Sequence, residues 1–186
     1  MRSVRAYVGL GANLGDRDAT FARALRALAE VPGLRLRGVS RLYATRPVGP
    51  PGQPDYRNAV VALDMRSPGT AAEVATALLR TLKGLEEQFG RKPRTRWAPR
   101  ELDLDLLVLG RHALSLADPP LTVPHPLAQG RLFVLAPLRD LAPGLRPPGW
   151  RETVEKAYRR QLAAEGADSV RVIGEWDPAA GRWRTA

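Results

Sequence analysis

An α+β domain with a βαββαβ core and a mainly antiparallel sheet is the fold class this sequence predicts. Three observations carry the prediction. Short runs of period-two alternation and longer runs of helical spacing succeed one another as strand, helix, strand, strand, helix, strand. Gly- and Pro-rich stretches punctuate them. The 186 residues, 44% hydrophobic, suffice for one domain with a substantial core. That element order is the split βαβ arrangement of a ferredoxin-like sheet. A single domain over 1–186 is expected, its core at about 1–145 and a C-terminal helix and short strand at about 150–186.

Ser3 to Leu10 alternates as a strand, with Val4, Ala6, Val8 and Leu10 on one face. The glycine-rich stretch Gly9 to Asp16 follows. It suits either backbone approaching a ligand or a plain strand-to-helix turn; the turn is favoured because no lysine completes a P-loop. Asp16 is a candidate N-cap for a helix carrying Phe21, Leu25, Leu28 and Ala29 at helical spacing, stopped by Pro32-Gly33. Leu34 to Tyr43 reads as a second strand. Ala44 to Asp55 is too rich in Pro and Gly for regular structure and is either a binding loop or an inert connection. Tyr56 to Leu63 is the third strand, with Tyr56 and Asn58 sharing a face at its start, a pairing that suits a flat heterocycle or an ordinary half-exposed strand end. Thr70 to Glu73 has capping-box form and opens a helix with the stripe Ala71, Val74, Ala75, Leu78, Leu82, Leu85 and Phe89, which Gly90 ends.

The segment from Arg91 to Leu109 holds the chemistry. Arg91, Lys92, Arg94, Arg96 and Arg100 form a basic loop, with Pro93, Trp97 and Pro99 among them. The strand from Leu102 follows. Period two places Asp103, Asp105, Leu107 and Leu109 on one face and Leu102, Leu104, Leu106 and Val108 on the other. Apolar residues on both faces predict a central strand. Two carboxylates at its leading end are costly unless compensated by arginines or by divalent ions. Carboxylates for Mg²⁺ beside guanidiniums for phosphate are a phosphoryl-transfer arrangement.

Beyond Gly110 the chain is irregular up to Leu121-Thr122-Val123-Pro124-His125-Pro126. A histidine between prolines is structural or catalytic. Arg131 and Phe133 alternate at the start of the apolar run to Leu135, which reads as a strand start. Trp150 to Glu165 suits a helix and Val170 to Ile173 a short strand; the rest reads as a weakly ordered tail without chemistry.

Composition bounds the function. Lys+Arg 29 against Asp+Glu 19 gives a net charge of +10, which favours an anionic partner, and Lys83, Lys92 and Lys156 are its only lysines. The absence of cysteine excludes disulfides and thiolate metal sites. No signal-peptide run or membrane-spanning segment is visible, so a cytoplasmic location is expected.

The string Arg96-Trp97-Ala98-Pro99-Arg100-Glu101-Leu102-Asp103-Leu104-Asp105 closely resembles the signature of the 6-hydroxymethyl-7,8-dihydropterin pyrophosphokinase family. Val8 to Gly15, Tyr43 to Gly49, Gln53 to Asn58, Leu121 to Pro126 and Arg131-Leu132-Phe133 resemble further family segments, so the likeness runs to about Leu145. It implies transfer of the βγ-pyrophosphoryl group of ATP to the hydroxymethyl of the dihydropterin, with release of AMP, in folate biosynthesis. On that resemblance Asp103 and Asp105 hold two Mg²⁺ ions. Tyr56 and Phe133 sandwich the pterin, Asn58 reads its polar edge, and Thr45 and Val48 add backbone contacts. Arg91 and Arg100 neutralise charge on the transferred group. Thr122, His125 and Arg131 grip phosphates or ribose, Arg96 joins them at ATP, and Glu86, Trp97 and Leu121 lie nearer the nucleoside. No role is assigned to Lys92 or Arg94. The resemblance implies small-molecule substrates, no nucleic acid or membrane partner, and a monomer.

Two other classes compete. An RNA-binding module of the RRM type would suit the arginine excess and the topology, yet Asp103, Asp105 and Leu107 stand where stacking rings belong. A nucleotide-binding regulatory domain would use the cations but not the acid pair.

Overall fold

The computed structural model describes residues 2–46, 54–90 and 100–185. In chain order its elements are β1 (Arg2–Ala12), α1 (Arg17–Glu30), β2 (Leu34–Val39), β3 (Leu42–Thr45), β4 (Tyr56–Ser67), α2 (Ala71–Gln88), β5 (Asp103–Leu109), β6 (Leu114–Leu116), β7 (Leu121–Val123), α3 (Leu132–Leu141), α4 (Val154–Glu165), β8 (Val170–Asp177) and β9 (Arg182–Thr185). A seven-stranded sheet has the order β5-β1-β4-β3-β8-β9, with β2 paired to β4 beside β3. Every pairing is antiparallel. Taking β2 and β3 as one interrupted strand, this is the expected ferredoxin-like core with C-terminal additions.

The local signals hold. Asp16 caps α1 by accepting from the Ala19 amide at 3.1 Å. Thr70 and Glu73 form a reciprocal capping box, with Thr70 N–H to Glu73 at 2.7 Å. Helix α1 buries Phe21, Ala22, Ala24, Leu25 and Leu28, while Ala29 is exposed. With α2 it covers one face of the sheet, over Val8, Leu10, Val61, Leu63, Leu104 and Leu106. Fully burying a leucine such as Leu63 or Leu78 contributes about 1.5–3 kcal/mol. Helices α3 and α4 pack on the opposite face, over Tyr7, Val60, Ala62, Leu107 and Val108.

Four expectations are corrected. Strand β5 is an edge strand in the sheet order and not a central one. Its outer side is closed by other means: the Leu104 amide donates to Glu86 at 2.7 Å and the His125 amide to the Leu107 carbonyl at 2.8 Å. Second, the β1–β5 register shifts between Tyr7 and Val8, which face Val108 and Leu106. The extra residue, Leu107, makes a bulge, so Leu107 and Val108 both pack toward α3 while Leu109 swings to the α1–α2 side. Third, the strand from Leu34 breaks at buried Ser40, whose hydroxyl accepts from the Val60 amide at 2.9 Å. Fourth, the C-terminal stretch is ordered. Strand β8 pairs with β3, and β9 carries buried Trp183, whose indole N–H donates to the Ser40 carbonyl at 2.8 Å. Its ring meets Phe21 and Trp176 edge-on at 6.0 and 4.7 Å. Among the described residues no helix is long and apolar enough to cross a membrane.

On the α3–α4 face of the sheet, Asp64 receives Arg5 and Arg37 at 2.5 and 2.6 Å. The Arg5 hydrogen bond first, then that from Arg37, holds this carboxyl below its ordinary 3.8, against the opposing effect of burial. A depressed carboxyl stabilises the fold above its unfolded pKa and stops doing so as pH falls through the folded value. Asp64→Asn should therefore cost about 1 kcal/mol at pH 7, modest because both guanidiniums are partly exposed. Denaturant titrations of both proteins should converge as pH is lowered below 3.8.

Candidate active site

The two glycines of β1 explain the cleft. Gly9 and Gly11 do not turn the chain; they lie within the strand, paired with Asp105 and Asp103 on one side and Val60 and Asn58 on the other. Period two points both toward the α3–α4 face. A Cβ on Gly9 would sit 3.4 Å from a Leu107 methyl, and one on Gly11 would sit 3.7 Å from Asn58 Oδ1. Without side chains there, the sheet is dished between its neighbours. The turn itself comes later, at Gly15 with φ +63°. The resulting cleft has a volume of about 480 Å³.

Its acid end is built on β5. Asp103 and Asp105 both face the cleft, and Arg100 donates to Asp103 at 2.5 Å. Arg100 is fixed from behind by Asn13, which is 1% exposed. The Asn13 side chain accepts from the Arg100 amide at 2.7 Å, and the Asn13 amide donates to the Arg100 carbonyl at 3.0 Å. Burial first, then the charge of Asp103, pushes the Asp105 carboxyl up; Lys83, His125 and Arg100 act against this. Burial lowers His125, with Asp105 opposing. Arg100 is raised: burial, the largest single influence, works against its charge, but Asp103, Asp105 and Glu86 together outweigh it.

Its aromatic end lies between β4 and α3. Tyr56 opens β4, and burial raises its hydroxyl pKa. Asn58, 5% exposed, donates to Thr45 Oγ1 at 2.7 Å, which leaves its carbonyl oxygen toward Gly11 and the cleft. Phe133 lies in the first turn of α3, with the Arg131 guanidinium 5.6 Å from its ring. The expected strand start at Phe133 is thus a helix, because Leu132, Leu135, Ala136 and Leu138 recur at helical and not alternating spacing. Helix α3 is pinned to β3 at its other end. Asp140 accepts from the Tyr43 hydroxyl at 2.9 Å and pairs with Arg41 at 2.6 Å. Burial first, then Asp140, pushes the Tyr43 hydroxyl up, so it stays a donor.

Of the residues singled out in the sequence, Thr45, Tyr56, Asn58, Arg100, Asp103, Asp105, Arg131 and Phe133 line this one cleft. His125 lies beside it, within electrostatic reach of Asp105. Leu121 and Thr122 sit on β7, Thr122 exposed. Glu86 does not reach the cleft; it is fully buried behind β5, accepting from Lys83 at 2.8 Å and from Leu104. Val48, Arg91, Arg96 and Trp97, like Lys92 and Arg94, lie outside the described residues. The sequence favours a turn over ligand-approaching backbone at Gly9 and Gly11, and does not single out Leu107, Arg46 or Glu165 as lining residues. Alternation of the two glycines with Val8 and Leu10 was the available signal for the first pair.

An antiparallel sheet whose cleft faces two carboxylates and Arg100 at one end, and aromatic rings with Arg131 beside them at the other, defines a small-molecule phosphotransferase. Residues 7–143 match the family described as 7,8-dihydro-6-hydroxymethylpterin-pyrophosphokinase (HPPK), and the chain belongs to that family. It is 44% identical over 151 residues to the 2-amino-4-hydroxy-6-hydroxymethyldihydropteridine pyrophosphokinase of Pseudomonas aeruginosa, covering 81% of this chain and 88% of that one. The protein of the same name from Methylorubrum extorquens is 39% identical over 166 residues, 89% and 98% of the two chains. Among solved structures, an HPPK-DHPS crystallised with substrates superposes with a TM-score of 0.71 at 13% identity, over 99% of this chain. This chain spans 50% of that one, and at such identity the likeness concerns the fold.

Glu86 generates a test. Glu86→Ala strands the Leu104 amide, while Lys83, 40% exposed, keeps water and the Leu104 carbonyl, and the change should cost about 1–3 kcal/mol. Glu86→Gln keeps an acceptor for Leu104 and should cost less. Denaturant midpoints of the two variants measure the difference.

Proposed function

We propose that this protein transfers the pyrophosphoryl group of ATP to 6-hydroxymethyl-7,8-dihydropterin, giving the pterin diphosphate and AMP, as a step of folate biosynthesis. The observation that carries the reading is the single cleft joining the acid pair of β5 to the aromatic pair Tyr56 and Phe133. The dihydropterin hydroxyl oxygen attacks the β-phosphorus as its proton is lost to solvent, and the bond from that phosphorus to the α,β-bridging oxygen breaks, so AMP leaves with that oxygen.

Tyr56 and Phe133 hold the ring between them, each face contributing about 0.5–1.5 kcal/mol beyond area burial. Asn58 Oδ1 accepts from the ring's polar edge, its orientation set by the bond to Thr45; backbone at Thr45 and Val48 adds to the same pocket. Asp103 and Asp105 fit a Mg²⁺ site by donor chemistry: hard oxygens two residues apart on one face, with Asp105 raised by burial and by its neighbour's charge, which a cation relieves. Among the described residues no third such ligand joins them, which leaves positions for water and phosphate. Two ions are proposed, supplying Lewis-acid polarisation of the phosphoryl oxygens when bound. Arg100 and Arg131 flank the transferred group and stabilise its developing charge; Arg91 and Arg96 are assigned the same task. Thr122 and His125 are placed at the phosphates or ribose, and Trp97 and Leu121 at the nucleoside. Glu86 is reassigned to holding β5. The basic charge then serves a small polyanion in a cytoplasmic monomer, without nucleic acid.

The reaction is tested by resolving AMP from ADP as ATP is consumed with the dihydropterin. AMP is expected; ADP would overturn the proposal. Asp103→Asn and Asp105→Asn should each lower kcat on the order of 10²-fold, since each tenfold is about 1.4 kcal/mol of transition-state stabilisation, with folding retained by circular dichroism. Normal turnover in both would remove their metal role.

The dished floor gives a second test. Gly11→Val suits a strand and meets no backbone, so the melting temperature should hold. Its methyls would fill the space between Asn58 and Asp103, and calorimetric titration should show dihydropterin binding reduced by at least about tenfold, roughly 1.4 kcal/mol.

A further inference from the structure

Tyr56, one of the two rings proposed to hold the pterin, stands where the sheet runs out. Strand β1 pairs with β4 as far as Ala12 opposite Arg57, so that ladder stops one residue short of Tyr56. On its other side Tyr56 pairs with Thr45, the last residue of β3, and Thr45 pairs with Val170, the first of β8. Strands β3, β4 and β8 thus end on one line, at the aromatic wall of the cleft. A strand end paired on one side opens more readily than the middle of a sheet.

Helix α1 supplies the missing side. Period two sends Tyr56 to the cleft and Arg57 to the opposite face, where α1 packs. The guanidinium of Arg17, the first residue of α1, donates to the Asp55 carbonyl at 2.8 Å, and Asp18 pairs with Arg57 at 3.4 Å. Both residues that flank Tyr56 are therefore held by the first turn of one helix. From β8, Arg171 donates to the Asp55 carboxylate at 3.3 Å. Magnitudes rank these contacts. The Arg171 pair is exposed, at 63% and 39%, and the Asp18 pair is long, so each contributes little. The Arg17 bond is short, charge-assisted and partly buried, about twice as strong as a neutral one. Seating α1 does not need it, because Phe21, Ala22, Ala24, Leu25 and Leu28 already bury that helix. Nor does the helix gain from a cation at its N-terminus, where the dipole favours acids such as Asp16 and Asp18. The firm partner is α1, and what the bond steadies is the strand end.

We infer that Arg17 is a positioning residue that holds Tyr56 against the pterin face through its bond to the Asp55 carbonyl, an inference that rests on the proposed reaction. The experiment measures kcat and the KM for dihydropterin and for ATP in the wild type, Arg17→Ala and Arg17→Lys, and repeats Arg17→Ala in a Tyr56→Ala background. Arg17→Ala should raise the dihydropterin KM about fivefold. The ATP KM and the melting temperature should stay close to wild type, and so should kcat, because ring stacking is binding shared by ground and transition states. Arg17→Lys, which keeps a charged donor, should fall between. With Tyr56 already replaced, Arg17→Ala should change the dihydropterin KM by less than about twofold, the signature of acting through that ring. An unchanged dihydropterin KM in Arg17→Ala, a parallel rise in both KM values, or an equal rise in the Tyr56→Ala background would overturn the inference. Amide hydrogen exchange gives a reading without ligand: the Tyr56 and Arg57 amides should exchange faster in Arg17→Ala, with Val60 and Val61 in mid-strand unchanged. If the wild type forms no AMP, the proposed reaction is what has failed. The exchange result then decides alone whether Arg17 holds Tyr56, and equal rates in both proteins would count against it.

Discussion

The hydrogen bond from the Leu104 amide to the buried carboxylate of Glu86 sets the terms for the rest of the molecule. Strand β5 must present two acids to a cleft on one face while standing at the edge of the sheet, where half of its peptide groups have no strand to pair with. Water cannot serve them, because Leu104 and Leu106 are buried. A side chain from α2 reaches across instead, and the segment after β7 closes the other end through His125. With the edge satisfied, β5 holds its register against β1, and Asp103 and Asp105 stay opposite Gly11 and Gly9. The Leu107 bulge then releases the strand's second half to pack differently without disturbing the first.

Across the cleft the corresponding constraint is the Asp140 carboxylate. It ties the C-terminal end of α3 to Arg41 and Tyr43 beside β3, and the helix runs from there to Phe133. The aromatic wall is thus set by an ion pair a full helix length away from the ring it positions. Arg139 continues the chain of contacts to α4, pairing with Glu155 and lying 4.5 Å from the Tyr158 ring. On this face polar links between sheet, α3 and α4 supplement the apolar packing of Leu135, Leu138, Val154 and Ala157.

What could be read in the sequence divides by range. The caps at Asp16 and Thr70 need only neighbours within one helical turn, and both were legible. The acid pair, the arginine before it and the aromatic at Tyr56 were legible because their residue types have few other uses together. The edge position of β5 was not, since a strand covered by a loop and a helix has the same apolar alternation as one covered by other strands. Phe133 looked like a strand start because Leu132 to Leu138 is apolar enough to fit either period. Glu86 looked available because nothing nearby in sequence announces Leu104 as its partner. The order of the C-terminal stretch depends on Trp183 reaching Ser40, a contact across 143 positions that no local pattern records.

The hairpin of β8 and β9 has one more effect, on how copies of the protein meet. By pairing with β3 it moves the open margin of the sheet from a strand beside the cleft to β9. There Arg182 and Arg184 stand exposed on either side of buried Trp183, on a chain whose net charge is +10. Two such margins approaching in solution bring cation against cation at strand spacing, which opposes the backbone pairing that would stack one sheet onto the next. The same few residues that brace the cleft thereby disfavour edge-to-edge pairing at this margin.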